Sequence, residues 1–103
     1  MVVDLNFPKC PIRNVLVRIC EPDLLWIVHI VGKKDSATLE ELLQEMEDRT
    51  PKEVETALCK LMTDGIIKQS VKSFSLTDRG LSLLPLAENL AHWCEQNFCS
   101  KQF

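Results

Sequence analysis

Six polar side chains between Arg49 and Lys72 have the types and spacing to do one kind of chemistry, the neutralisation of a phosphate backbone. Arg49, Lys52, Thr56 and Lys60 recur at helical intervals, and Lys68 and Lys72 follow in a short alternating segment. Lysine and arginine contacts to phosphates supply most of the affinity of proteins for DNA. A threonine hydroxyl can reach a base edge or a phosphate oxygen. Lys33 and Lys34 could add backbone contacts from the loop before. Against these stand Asp48, Glu53 and Glu55, which phosphates would repel. Glu53 has a structural reason to be there, as a helix cap, and Glu55 has none. Two readings stay open: a helix that enters a DNA groove, or a charge-mixed, solvated helix on a protein-interaction module.

Other chemistries find little support. Five cysteines, Cys10, Cys20, Cys59, Cys94 and Cys99, show no Cys-x-x-Cys spacing. An odd number without that spacing argues against a disulfide framework and against a zinc site. Cys20, Cys59 and Cys94 read as small buried apolar residues. Cys10 lies between Lys9 and Arg13, cations that would favour the thiolate. It is either a redox-active thiol or an inert arm residue. His29 sits in the most apolar segment and reads as a satisfied core histidine. No catalytic triad, metal-ligand cluster or Gly-rich phosphate loop is present, so neither an enzyme nor a cofactor is expected.

The chain has 103 residues, room for one domain with a core of its own. The formal charge of −3 is unusual for a nucleic-acid binder, although the local field decides such binding. No apolar run approaches the roughly 20 residues that span a bilayer, and no signal peptide is evident. A cytoplasmic protein without membrane association is expected.

Those candidate residues need a scaffold, and the pattern supplies one. Residues 1–11 read as an arm, since Pro8 and Pro11 discourage helix. Residues 12–103 read as one domain. Ile12, Val15, Leu16 and Ile19 give a first helical stripe. Pro22 marks a break, and Asp23 could cap a second helix that runs through Val31 and ends at Gly32 and the lysines. That helix is apolar nearly all round and belongs at the centre. Thr38 and Glu41 form a capping box, as do Thr50 and Glu53. Pro51 suits the first position of the second capped helix, and Gly65 its left-handed end. Two capped helices joined by so short a turn make a helix-turn-helix, the second helix being the reader. The segments 66–70 and 72–76 can pair as a hairpin. A last helix follows Thr77, with Leu81, Leu84, Ala87, Leu90 and Ala91 as its stripe and Pro85 inside it. The fold class is therefore mainly α with a small hairpin, a winged helix-turn-helix. The last helix carries more apolar surface than one small domain covers, which points to a homodimer through Leu16, Leu90, Trp93 and Phe98.

From Cys10-Pro11 to Trp93 the chain resembles the HxlR-type winged-helix regulators, which are related in fold to MarR. The likeness rests on Cys10-Pro11, Glu41-Leu42 of the supporting helix, and Thr50, Val54, Leu58 and Leu61 of the reading helix. It continues through Asp64-Gly65-Ile66-Ile67 at the entry to the wing, Leu76-Thr77-Asp78-Arg79-Gly80, and Leu83-Leu84-Pro85 with Trp93. The resemblance implies a dimeric regulator that binds double-stranded DNA, with Cys10 at the position where some members sense oxidants or electrophiles. The departures cluster on the DNA-facing side. Cys20-Glu21-Pro22-Asp23 replaces a Gly-Gly-Lys-Trp motif, Thr38-Leu39 replaces Arg-Phe, and the wing is short and lacks arginine.

Overall fold

The computed structural model describes residues 12, 13, 16, 17 and 20–99, and of residue 99 the backbone only. Residues 12, 13, 16 and 17 are helical. Helix α1 (Pro22–Lys34), α2 (Leu39–Glu45) and α3 (Pro51–Thr63) follow, then strands β1 (Ile67–Gln69) and β2 (Phe74–Leu76), and helix α4 (Asp78–Cys94), which ends in a π-helical turn, Glu95–Cys99. This is the winged helix-turn-helix that the sequence pattern requires. The arm, with Cys10, and the stripe residues Val15 and Ile19 lie outside the described residues.

Helix α1 begins two residues earlier and ends later than its sequence suggests. Proline has no N–H to lose, so Pro22 takes the first helical position behind Glu21, and Asp23 lies inside the first turn instead of capping it. The helix continues through Gly32 to Lys34 because Gly32 fits a close crossing of α4: a Cβ there would lie 2.5 Å from Leu84 Cδ1. Leu24, Ile27, Val28, Ile30 and Val31 form the centre of the core. The helix is not buried all round. Trp26 is exposed, and Leu25 and His29 are half-buried.

Both capping boxes form. Thr38 Oγ1 accepts from Glu41 N at 3.1 Å while Thr38 N donates to Glu41 Oε1 at 3.0 Å. Thr50 and Glu53 repeat the arrangement at the same distances. Leu42 and Met46 from α2 and Val54, Ala57, Leu58 and Leu61 from α3 then meet the α1 core.

Gly65 adopts φ +73°, which reverses the chain after α3 and aims it into β1. The strands pair antiparallel with Ile67 opposite Leu76 and Gln69 opposite Phe74. Val71 and Lys72 make a two-residue turn closed by Ser70 N to Ser73 O at 2.8 Å. Neither turn residue has positive φ, so it is not the primed type that tight hairpins prefer. Phe74 also bonds in both directions with Ala37, which ties the hairpin to the α1–α2 loop.

Thr77 caps α4 through Gly80 N at 3.2 Å, its hydroxyl donates to the Gly65 carbonyl, and its backbone N–H donates to the Ile66 carbonyl at 3.0 Å. Arg79 donates to the Asp64 carbonyl at 2.8 Å. Gly80 packs directly on the backbone of Ile66, where a Cβ would fall 2.1 Å from the carbonyl oxygen. That contact sets the rotation of α4 and corrects the expected stripe. Gly80, Leu84, Ala87 and Ala91, spaced by fours and threes, face inward, while Leu81 is 54% exposed. Pro85 is accommodated within α4, and its missing N–H leaves the Leu81 carbonyl without that helical bond.

The two glycine contacts differ in what must move, and this difference is testable. Gly80→Ala drives a methyl into a backbone carbonyl and should destabilise by about 2–3 kcal/mol, lowering the melting temperature by roughly 10 °C or more. Gly32→Ala meets only the mobile end of Leu84 and gains helix propensity worth about 1 kcal/mol, so its melting should change far less. Equal melting of the two variants would contradict the placement of α4.

Candidate nucleic-acid interface

Helix α3 presents an outer face bearing Lys52, Glu53, Glu55, Thr56, Cys59 and Lys60, all exposed, above the buried line of Val54, Ala57, Leu58 and Leu61. Arg49 precedes it on the turn. Lys68 and Lys72 are exposed on the wing. Helix and wing are consecutive, joined at Gly65. Among the described residues, Lys52, Lys68 and Lys72 have no ion-pair partner.

Three of the six candidate residues are otherwise engaged. The Thr56 hydroxyl donates to the Lys52 carbonyl at 2.8 Å, which leaves its oxygen only as an acceptor. Arg49 Nε donates to Asp23 Oδ1 at 3.0 Å, and its Nη1 lies 3.6 Å from Glu53 Oε2. Lys60 Nζ sits 3.3 Å from Glu21 Oε2. Lys33 and Lys34, expected in a loop, belong to the last turn of α1, and Lys34 pairs with Glu41 at 3.6 Å. Glu21 and Asp23 escaped the sequence reading as partners. They lie 39 and 26 positions from Lys60 and Arg49, and no local pattern connects them.

The Glu53 carboxyl is held below its ordinary value, chiefly by the Thr50 backbone N–H that donates to it, then by the Thr50 side chain and Arg49. The Glu41 carboxyl is lowered in the same way by the Thr38 backbone. Both acids are therefore cap groups first. Glu55 has no such partner in the described structure.

Away from this face, an apolar groove of about 450 Å³ lies between α1 and α4, lined by Cys20, Leu25, Trp26, His29, Leu90 and Cys94 among others. His29 stacks on Trp26 with ring centroids 5.2 Å apart. Its Nδ1 is buried without a hydrogen-bond partner, so it is not the satisfied core histidine expected. The cysteine expectation also fails. Cys20 and Cys59 are exposed and Cys94 is half-buried, because Cys20 precedes α1 at the groove and Cys59 projects from the outer face of α3. Of the candidate dimer residues, Leu16 is 50% exposed, Leu90 45%, Trp93 51% and Phe98 65%. Trp93 and Phe98 pack edge to face at 5.4 Å. Among the described residues no group of His, Cys, Asp and Glu could hold a metal, and no helix is long and apolar enough to cross a membrane.

The same architecture occurs in several solved structures. Over 93% of this chain and 91% of the other, it superposes on ytfH from Salmonella typhimurium, a proposed transcriptional regulator, with a TM-score of 0.75 at 23% identity. The redox regulator HypR in its reduced form matches over 88% of this chain and 96% of its own, with a TM-score of 0.75 at 21% identity. Quinone-bound YodB from B. subtilis matches over 85% and 99%, with a TM-score of 0.72 at 18% identity. The shared fold is a winged helix-turn-helix. At these identities the likeness is one of fold alone. No family model and no curated protein matches the chain.

The capping box makes stability pH-dependent in a stated direction. A carboxyl whose folded pKa is lowered contributes stability that is present above its unfolded pKa and lost as pH falls through the folded one. Glu53→Gln keeps an acceptor for the Thr50 N–H but cannot titrate. Melting of the wild-type chain should therefore fall more steeply than that of the variant below about pH 4. Parallel curves through that range would contradict the capping role.

Proposed function

We propose that this chain is a DNA-binding transcriptional regulator of HxlR type that acts as a homodimer. The observation that carries the proposal is the set of unpaired lysines, Lys52 on the reading helix and Lys68 and Lys72 on the wing, on consecutive elements of one fold. In this arrangement α3 lies in the major groove, and Arg49, Lys52, Thr56 and Lys60 face the duplex. The wing lysines reach the adjacent backbone. The exposed Leu16, Leu90, Trp93 and Phe98 form the contact between copies. Two reading helices related by that contact would meet successive grooves about one turn apart. HypR is a redox regulator and YodB has been seen with a quinone bound. Here Cys10, beside Lys9 and Arg13, is the thiol proposed to sense oxidants or electrophiles. The protein acts without a cofactor, catalyses no reaction and works in the cytoplasm.

A second reading is favoured by one specific feature. Glu55 stands on the reading face with no capping role, and acids already occupy Arg49 and Lys60. A dimeric winged helix that has given up DNA and binds protein would carry such a face.

Salt-titrated binding to nonspecific duplex DNA separates the two. Lys52→Ala and Lys68→Ala should each weaken binding similarly across sequences and flatten the dependence of log K on log salt by about one unit. Unchanged binding by both variants would remove these lysines as phosphate contacts. Absence of any salt-dependent binding by the unmutated chain would favour the protein-binding module.

The dimer has a separate test. Light scattering on a sizing column at micromolar concentration should give twice the mass of one chain, and Trp93→Glu should shift it towards the monomer. A monomeric wild-type protein would contradict the paired-groove arrangement.

A further inference from the structure

The N-terminus of α1 stands beside the reading helix, and its acids hold one cation of that helix, Lys60, and one of the turn before it, Arg49. Lys60 Nζ lies within hydrogen-bonding range of both Glu21 oxygens, 3.3 and 3.4 Å. Arg49 is bonded to Asp23 at 3.0 Å. Between the two helices runs a shallow cleft of about 300 Å³ whose walls include Glu21, Asp23, Lys52, Thr56 and Lys60. The carboxylates thus border the same surface as the proposed phosphate contacts.

We infer that Glu21 and Asp23 act as an internal substitute for phosphate: they hold Lys60 and Arg49 against α1 and withhold both cations from nucleic acid, so that the affinity and salt dependence of binding are set from α1. This rests on the DNA-binding reading above. The pairs are partly exposed on both sides and therefore weak, so a phosphate can displace them. Displacement has two costs. The freed carboxylate remains beside the DNA and repels it. It also takes up a counterion, which offsets one of those that the bound phosphate releases. The chain consequently uses fewer cations than it carries, and its binding responds less to salt than the five candidate cations would suggest.

The full-length chain and a nonspecific duplex suffice for the test, read by fluorescence anisotropy over a salt series. Glu21→Gln should tighten binding about five- to tenfold at low salt and steepen the salt slope by about one unit. Lys60→Ala alone should weaken binding, since it leaves the Glu21 carboxylate beside the DNA without its cation. In the double variant Glu21→Gln/Lys60→Ala the gain should vanish. Glu40→Gln, an equal charge change at an exposed position on α2, should give a much smaller effect. Asp23→Asn should behave towards Arg49 as Glu21→Gln does towards Lys60. A gain from Glu21→Gln that survives loss of Lys60, or no gain while the wild type binds, would overturn the inference and leave the DNA-binding reading intact. Binding by Glu21→Gln/Asp23→Asn where the wild type has none would support it in its strongest form. If no variant binds DNA at all, both the reading and the inference fall.

Discussion

The close approach of Gly80 to the Ile66 carbonyl holds the two halves of the domain in register. Any side chain at residue 80 would collide with the backbone between α3 and the wing. Around that contact, Thr77 bonds to Ile66 and Arg79 to the carbonyl of Asp64. Three residues at the start of α4 thereby fix the end of α3, the root of β1 and the rotation of α4 together. The angle between reading helix and wing follows from this junction, and so does the choice of apolar residues that α4 leaves outside. Leu81, Leu90 and Trp93 are exposed because Gly80, Leu84 and Ala87 are turned inward.

The functional question then reduces to local charge. The net charge of −3 says little about a face on which Lys52, Lys68 and Lys72 stand free while Arg49 and Lys60 are held by acids of α1. Fields at a surface are set by the nearest groups, since salt screens the rest within about 10 Å. On that scale the wing is basic, the N-terminal turn of α3 sets Lys52 against Glu53, and the rest of the helix face, with Glu55 and the paired Lys60, carries no excess positive charge. Among the described residues, the wing lysines and Lys52 are thus the cations of this face that no acid holds.

Local features were legible in the sequence because their causes are local. A Thr-x-x-Glu box caps its own helix, so Thr38/Glu41 and Thr50/Glu53 could be read with their partners. The Phe74–Leu76 alternation and Gly65 announced a strand and a reversal for the same reason. The rotation of α4 was not legible, because it depends on a contact between Gly80 and a backbone carbonyl 14 positions earlier. The pairs Glu21–Lys60 and Asp23–Arg49 were hidden in the same way. Cys59 looked like a core residue by type, yet its place on α3 is the outer face; only the phase set by Val54, Ala57 and Leu58 could have revealed it.

Titration of the isotopically labelled chain with a nonspecific duplex, followed by backbone amide shifts, would show whether α3 and the wing meet DNA. If α3 and the wing meet DNA, the perturbed amides should concentrate at residues 49–60 and 68–72, with a weaker echo at Glu21 and Asp23 as their partners change. Shifts confined to α2 or to the α1–α4 groove, or none at all at concentrations that support phosphate contact, would contradict that contact.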